Sequence, residues 1–174
     1  RKNAGFHHCA SAIGALGAAA TSSQPKLLEV GIWKAVTTSF FLKSTGTSSK
    51  AFGIDIFQFK NQEIETAHIL AEQKLLDQCR IFKSPSDKVP SEILTEGASF
   101  DVVHIDGSHE FTDVIKDVLM YFHFLKPGGW MIVDDYIDPL HSPDVKPALD
   151  QILASNLLPS ENHGQPEGFI NYWI

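Results

Sequence analysis

The 174-residue sequence lacks several features that would assign it to common classes of protein. Its two cysteines, Cys9 and Cys79, form neither a CxxC pair nor a zinc-ligand spacing, which predicts buried free thiols in a reducing, cytoplasmic compartment. It has no excess of basic residues, and a formal net charge of -7 argues against binding to a nucleic-acid backbone. It also has no run of about 18 apolar residues, so no membrane span is predicted.

The chain shows no clear targeting segment or internal boundary. Its N-terminal residues combine a basic end with a small apolar patch but lack the leucine-rich core of a signal peptide, so none is predicted. The first residue is Arg1 rather than Met, and we expect further residues upstream. Because no linker, repeat or shift in composition divides the sequence, residues 1–174 are predicted to form one domain.

Strand and helix patterns alternate along the chain. This alternation predicts an α/β three-layer sandwich with a Rossmann-like, mostly parallel sheet and helices on both faces. The predicted strands cover residues 26–30, 51–56, 80–83, 102–105, 130–133 and 168–174. The predicted helices cover residues 7–20, 32–43, 61–78, 143–157 and the segment after residue 107, with residues 84–87 capping a further short helix and residues 126–129 forming a turn.

Acidic side chains follow two consecutive apolar strands of this pattern. Asp106 comes directly after the strand at 102–105, and Asp134 and Asp135 come after the strand at 130–133. Parallel neighbours would bring these acids together at the carboxyl edge of the sheet, where open α/β sheets bind ligands. Because three carboxylates in one crevice repel each other, a cation or a proton is expected among them.

Two residues nearer the N-terminus point to a nucleoside at the same edge. Gly31 lies at a predicted strand-to-helix turn, where backbone N–H groups allow close approach of a ligand. Asp55 ends the next strand, where nucleotide-binding folds hold ribose hydroxyls. A dinucleotide oxidoreductase is disfavoured, because its GxGxxG motif would start at Gly31 and only that first glycine is present.

Taken together, these motifs resemble those of class I S-adenosylmethionine-dependent methyltransferases. The resemblance covers residues 26–136 and rests on Glu29-Val30-Gly31, on Asp55, and on the sequences FDVVHIDGSH, LKPGG and VDDY. The sequence is most similar to small metal-dependent O-methyltransferases of the macrocin and novobiocin sugar type, and more distantly to catechol and caffeoyl-CoA O-methyltransferases. It departs from the family loop E-x-G-x-x-x-G at Ala35, which replaces the second glycine.

The resemblance implies a set of residues that bind S-adenosylmethionine. Glu29 and Gly31 would form the loop under the methionine part of the cofactor. Asp55 would accept hydrogen bonds from both ribose hydroxyls, and Ser84 would flank the adenine. The predicted cofactor contacts also include Ile32, Thr37, Ile56 and Asp106.

The resemblance also implies a metal site and a base. Asp106, Asp134 and Asp135 would ligate Mg²⁺ or a similar divalent cation, which prefers oxygen ligands. Because Asp134 and Asp135 are consecutive, both reach one ion only if the chain turns there; otherwise Asp134 is the ligand. Asp106 and His109 are the candidate general bases for the acceptor hydroxyl.

The predicted function is therefore metal-assisted O-methylation of a small hydroxylated molecule, with a sugar among the candidates. The alternative is a non-catalytic domain that keeps the fold as a scaffold. Ala35 and the short length favour that alternative, whereas the intact set of acids argues against it. The expected partner is a small-molecule acceptor, with no nucleic acid and no membrane, and a homodimer is left open.

Overall fold

The computed structural model describes residues 4–97, 99–158, 164 and 172–174. These residues form one six-stranded sheet with the strand order β3-β2-β1-β4-β5-β6. The strands are β1 (Lys26–Val30), β2 (Lys50–Asp55), β3 (Cys79–Lys83), β4 (Phe100–Ile105), β5 (Leu125–Val133) and β6 (Tyr172–Trp173). All neighbouring pairs are parallel except β5 and β6, so the mostly parallel sheet predicted from the sequence is confirmed.

The helices cover both faces of this sheet. They are α1 (Ala4–Ala19), α2 (Val36–Thr45), α3 (Gln62–Glu72), α4 (Ser91–Glu96), α5 (Phe111–Phe122) and α6 (Val145–Ala154), with a 3₁₀ helix at Leu76–Gln78. One apolar core joins α4, α5 and α6 to the sheet, and a second joins α1, α2 and α3 to its opposite face. Burial of both faces explains why β1 and β4 do not alternate between apolar and polar residues, and why even Glu29, Asp101 and His104 are buried. The three-layer architecture is therefore as predicted.

Small side chains let α1 pack closely on α2. A Cβ added at Gly17 would lie 2.3 Å from the Phe41 ring, and one added at Gly14 would lie 2.6 Å from Ser44 Oγ. The glycine- and alanine-rich composition of the N-terminal segment thus has a role in packing. Within the described residues, no helix is long and apolar enough to cross a membrane.

Several predicted boundaries are wrong, mostly where the backbone leaves the right-handed helical region. Helix α2 begins at Val36 rather than at residue 32, because Trp33 and Ala35 have φ angles of 46° and 55°. Helix α3 ends at Glu72, and Lys74, with φ of 59°, separates it from the 3₁₀ helix. Residues 84–87 do not cap α4, which begins seven residues after Ser84.

The predicted turn at residues 126–129 is instead part of β5. The ladder between β4 and β5 is irregular between Phe100 and Val102, and this irregularity accommodates the glycine pair within the strand. Gly129 packs so tightly that an added Cβ would lie 2.9 Å from the Asp101 carbonyl oxygen. Residues 168–171 of the predicted last strand lie outside the described residues, and the prediction of a single domain over residues 1–174 stays a prediction.

Candidate functional site

A cavity of about 650 Å³ opens at the carboxyl edge of the parallel strands. The N–H of Asp106 donates to the Val30 carbonyl (2.8 Å), and the N–H of Asp134 donates to the Ile105 carbonyl (2.9 Å), so each acid continues its strand at this edge. The topology therefore places the ends of β1, β2, β4 and β5 together, as predicted. The residues that line the cavity include Gly31, Asp55, Ile56, Ser84, Asp106 and His109.

At Gly31 the ends of β1 and β4 come into close contact. Its φ angle is +86°, and an added Cβ would lie 1.9 Å from the Asp106 carbonyl oxygen. Only glycine fits this position, because any side chain would collide with backbone and also strain the residue's own conformation. The glycine expected at the strand-to-helix turn is thus required by the contact that brings the two strand ends together.

Asp55 is held in place by hydrogen bonds from the chain itself. Its Oδ1 accepts from the Phe57 N–H (2.6 Å), and its Oδ2 accepts from the Trp33 N–H (2.9 Å) and from Gln62 Nε2 (3.4 Å). A carboxylate has about four lone-pair sites, so acceptor capacity remains toward the cavity. The loop after β1 and the end of β2 are thereby fixed to one another.

Three of the predicted cofactor residues do not line the cavity. Glu29 is buried, where it accepts a hydrogen bond from the Thr38 hydroxyl and lies 3.1 Å from His104 Nδ1. Ile32 is also buried, and its side chain packs against Gly53 in the core rather than against the cavity. Thr37 is half-buried on α2. The predicted roles of Glu29, Ile32 and Thr37 in cofactor binding stay predictions, and the Ile32 side chain packs in the core.

The acids after β4 and β5 share the edge but are separated by a histidine. Asp135 has φ of +57°, so the chain turns there and the two consecutive carboxylates face different partners. Asp134 Oδ2 lies 3.6 Å from His104 Nε2. His109 Nε2 lies 3.4 Å from Asp106 Oδ1 and 3.6 Å from Asp135 Oδ2, and thus bridges these two acids. The turn required for a shared metal ion is present, and the ion itself stays a prediction.

The acids and histidines of this cluster shift each other's protonation. Burial and the nearby charge of Asp134 raise the pKa of Asp106 to about 7. The nearby Asp106 carboxylate raises the pKa of His109, although burial opposes this shift. Burial alone would raise the pKa of Asp134, but its contacts with His104 and the Asp135 N–H bring that pKa below its usual value. As predicted for clustered carboxylates, at least one has a raised pKa.

Sequence reasoning missed two buried partners of the site, His104 and Cys9. Cys9 Sγ of α1 lies 3.7 Å from His104 Nε2. A histidine inside the apolar run of β4 was an available signal, since a fully buried imidazole needs polar neighbours. The position of Cys9 could not be read in the same way, because it depends on how α1 docks on the sheet.

Asp117 of α5 also lines the cavity, and it is almost completely buried. Burial raises its pKa to about 6, with a hydrogen bond from Ser86 partly opposing that shift. The ionised form is therefore disfavoured in the folded state, so native Asp117 binds a proton more readily than the unfolded chain does between pH 3.8 and about 6.

Asp117→Asn is accordingly expected to stabilise the fold at pH 7 by about 1–3 kcal/mol, since it removes a buried charge. Wild-type stability should fall as the pH rises through this window, and the gain from the substitution should shrink toward zero as the pH falls below 3.8, where both native and unfolded carboxyls become protonated. Urea unfolding of both proteins at several pH values measures this. A variant less stable than wild type at pH 7 would contradict it.

A comparison with known families and structures adds to this geometry. A family model described as a methyltransferase domain matches residues 28–136, which is most of the chain. Uncharacterized protein R132 of Acanthamoeba polyphaga mimivirus is 41% identical over 54 residues, a match that covers 31% of this chain and 24% of that protein. This chain therefore matches only about a quarter of the length of that relative.

Several solved structures share the fold at low sequence identity. The O-methyltransferase TomG from Streptomyces achromogenes, in complex with S-adenosylmethionine, aligns with a TM-score of 0.68 and 15% identity, over 94% of this chain and 77% of that one. CalS11, a TDP-rhamnose 3′-O-methyltransferase of calicheamicin biosynthesis, aligns with a TM-score of 0.73 and 12% identity, over 97% and 78%. The methyltransferase PaMTH1 from Podospora anserina aligns with a TM-score of 0.69 and 15% identity, over 94% and 75%.

The family match starts in β1 and ends just after β5, so it includes every strand end that forms the cavity. It confirms the resemblance read from the motifs in these strands and loops. The chain therefore belongs to the methyltransferase-domain family, and its fold is that of the class I S-adenosylmethionine-dependent methyltransferases.

Proposed function

We propose that this methyltransferase moves the methyl group of S-adenosylmethionine to a hydroxyl oxygen of a small molecule, with the assistance of a divalent cation. The observation that carries the proposal is the single cavity that has Gly31 and Asp55 on one side and Asp106 and His109 on another. The Asp55 carboxylate, which would bind the nucleoside, and the Asp106 and His109 side chains, which would accept a proton, thereby line the same cavity. The protein's main contribution is then to hold the two reactants close together.

The residues present fit the cofactor. A cavity of about 650 Å³ is within the range of roughly 300–1,000 Å³ typical of small-molecule sites. Asp55 offers acceptor sites to the ribose hydroxyls, and the exposed side chain of Ile56 supplies an apolar surface for the adenine. When bound, the cofactor supplies a methyl group on a positively charged sulfur, which is open to in-line attack.

Asp106 and His109 are suited to accept the proton of the acceptor hydroxyl. A base works best when its pKa lies near the operating pH, and burial together with Asp134 raises the pKa of Asp106 to about 7. His109 Nε2 lies 3.4 Å from Asp106 Oδ1, so the two groups are close enough for the charge of one to favour the opposite charge on the other. The hydroxyl oxygen would form its bond to the methyl carbon as its proton passes to this pair, while the bond from that carbon to the sulfur breaks and the electron pair stays on the sulfur, which leaves as a neutral thioether.

The carboxylates of Asp106, Asp134 and Asp135 offer only oxygen ligands, the chemistry that a hard cation such as Mg²⁺ prefers. Among the described residues, however, their ligand oxygens do not all lie within 4.8 Å of one another, so these side chains would have to move closer together to share one ion. Bound there, such a cation would lower the pKa of the acceptor hydroxyl and orient it. Burial, and after it the charge of Asp134, raises the pKa of Asp106, and a cation among these acids would oppose both effects.

A sugar hydroxyl is our proposed acceptor. The support comes from CalS11, which shares the fold and is described as a TDP-rhamnose 3′-O-methyltransferase. The assay that tests this uses nucleotide-linked deoxysugars with S-adenosylmethionine and Mg²⁺, with transfer followed by mass spectrometry. Methylation of a phenolic acceptor but of no sugar would replace the sugar by another hydroxyl class.

Asp55→Ala tests the cofactor assignment. It is expected to weaken S-adenosylmethionine binding by roughly 1–3 kcal/mol, because polar partners in the site are left unpaired. Calorimetric titration of wild type and variant measures the loss. Asp77→Ala, which removes an exposed acid outside the cavity, is the matched control and should bind as wild type does. Equal affinity for all three proteins would remove Asp55 from the site.

A non-catalytic scaffold is the second candidate, and one observation favours it. Ala35 replaces a glycine of the family loop at a residue whose φ of +55° is costly for any side chain. The two candidates differ in one measurement: the scaffold binds S-adenosylmethionine without transfer to any hydroxylated acceptor, with or without EDTA.

A further inference from the structure

Three side chains from different elements meet below the edge of the sheet. Cys9 lies on α1, His104 on β4 and Asp134 directly after β5, and all three are buried. Cys9 Sγ lies 3.7 Å from His104 Nε2, which lies 3.6 Å from Asp134 Oδ2. Within the part of the chain that the structure describes, this is the one set of three such groups whose ligand atoms all lie within 4.8 Å of one another.

These separations suit a tetrahedral metal ion. With zinc–sulfur bonds of about 2.3 Å and zinc–nitrogen or zinc–oxygen bonds of about 2.0 Å, tetrahedral geometry places ligand atoms roughly 3.3–3.6 Å apart. The observed 3.7 Å and 3.6 Å differ from this by only a few tenths of an ångström. A thiolate, an imidazole nitrogen and a carboxylate oxygen also form a donor set that favours zinc-like ions over Mg²⁺.

The second nitrogen of His104 has the partner that a metal-binding histidine needs. Its Nδ1 lies 3.1 Å from Glu29 Oε1, and the other Glu29 oxygen accepts a hydrogen bond from the Thr38 hydroxyl. A carboxylate that accepts from the far ring nitrogen fixes the tautomer and leaves Nε2 free to bind a metal. Glu29 and His104 are register partners on β1 and β4, so the sheet itself sets this contact.

We propose that Cys9, His104 and Asp134 bind one transition-metal ion of the zinc class, with Glu29 orienting the imidazole. Three protein ligands leave a fourth position for water or for another ligand. This site is separate from the proposed Mg²⁺ site in its chemistry, although both use Asp134. It does not depend on methyl transfer, and its test uses no measurement of activity.

Cobalt is the probe, because a thiolate bound to Co²⁺ gives a charge-transfer absorption that carboxylates do not give. Protein stripped of metal with a chelator is titrated with Co²⁺, and the band is expected to saturate at one ion per chain. Cys9→Ser should lose the band, whereas Cys79→Ser should keep it, because Cys79 is an equally buried free thiol outside the cluster. Glu29→Gln should weaken Co²⁺ binding by about 10–100-fold, the usual cost of losing such a partner.

The wild-type titration alone can overturn the proposal, whether or not a variant folds. No thiolate band at saturating Co²⁺ means that Cys9 is not a ligand, and a band that persists in Cys9→Ser or disappears in Cys79→Ser assigns the thiolate elsewhere. Calorimetry with S-adenosylmethionine on the same samples keeps the two proposals apart. Normal cofactor binding without a cobalt band rejects only the metal site, and the reverse result rejects only the proposed function.

Discussion

Asp134→Asn is expected to lower the rate of methyl transfer on the order of 1,000-fold while S-adenosylmethionine still binds. The substitution removes a charged ligand from the proposed Mg²⁺ site and leaves the cavity wall at Gly31 and Asp55 unchanged. Without the cation, the acceptor hydroxyl keeps its ordinary pKa and loses its orientation. A loss of several kcal/mol of transition-state stabilisation is the usual consequence of losing such an ion.

Melting temperatures measure the metal part of this prediction directly. Wild-type melting temperature should rise with Mg²⁺ concentration, because an ion bound only by the native state stabilises it. Asp134→Asn should blunt that rise, whereas Asp138→Asn, a nearby acid that bonds His141, should keep it. Cys9→Ser, which leaves the three carboxylates intact, should also keep it. If millimolar Mg²⁺, Ca²⁺ and Mn²⁺ leave wild-type melting unchanged and EDTA leaves transfer unchanged, the Mg²⁺ assignment is wrong.

Gly31→Ala is expected to destabilise the fold by about 2–4 kcal/mol and to abolish cofactor binding. Two costs add at this position. The first is the φ of +86°, which a residue with a side chain adopts only with strain. The second is steric, because the new Cβ would lie 1.9 Å from the Asp106 carbonyl oxygen and would force the ends of β1 and β4 apart.

Gly46→Ala is a matched control that separates these two costs. Gly46 has nearly the same φ, +85°, but an added Cβ would meet no atom within 4 Å. It should therefore lose only the cost of the backbone conformation, about 1–3 kcal/mol, because φ of +85° with ψ of -172° is essentially restricted to glycine. Urea unfolding of both variants gives the steric part as the difference between them. If the two variants are equally stable, the close contact at Gly31 contributes nothing to the loss of folding stability.

The sequence predicts the sheet and its functional edge well because both follow from local patterns. Continuous apolar runs identify the buried parallel strands, and the residue after each run is placed at the edge by the topology of the fold. Gly31, Asp55, Asp106 and Asp134 were all found in this way. Each of these residues can be placed once its own strand has been identified. Errors in the predicted bounds of other elements therefore do not change where these residues are predicted to lie.

The errors arise where the backbone departs from the common conformations. Nothing in the composition around Trp33 and Ala35 indicates two left-handed residues, so the helix was predicted to begin four residues too early. In the same way, Lys126-Pro127-Gly128-Gly129 has the composition of a turn, yet it lies inside β5 as a bulge between Leu125 and Trp130, which pair with β4. Tertiary context decides these cases, and single-sequence patterns do not contain it.

The cluster of Cys9, His104 and Asp134 could not be predicted from the sequence, for a further reason. The three residues are separated by 95 and 30 positions, and only the docking of α1 on the sheet brings the thiol to the imidazole. Asp134 was predicted as a site residue, but from its place after β5 rather than from any partner. The sequence therefore identified one member of this cluster and none of its contacts.

The backbone of the loop from Gly31 to Ala35 is ordered when the protein folds, so its conformational entropy is lost at that stage rather than when a ligand binds. Three of its five residues have left-handed φ angles, and hydrogen bonds from the chain itself hold them. The Gly31 N–H donates to Ile54, the Ala35 N–H donates to Ile32, and the Trp33 N–H donates to Asp55. Because the loop is ordered during folding, a ligand that binds beside it loses little affinity to conformational restriction. The site is therefore preorganised. The left-handed residues lower the stability of the folded protein, and in return the loop needs less rearrangement when a ligand binds.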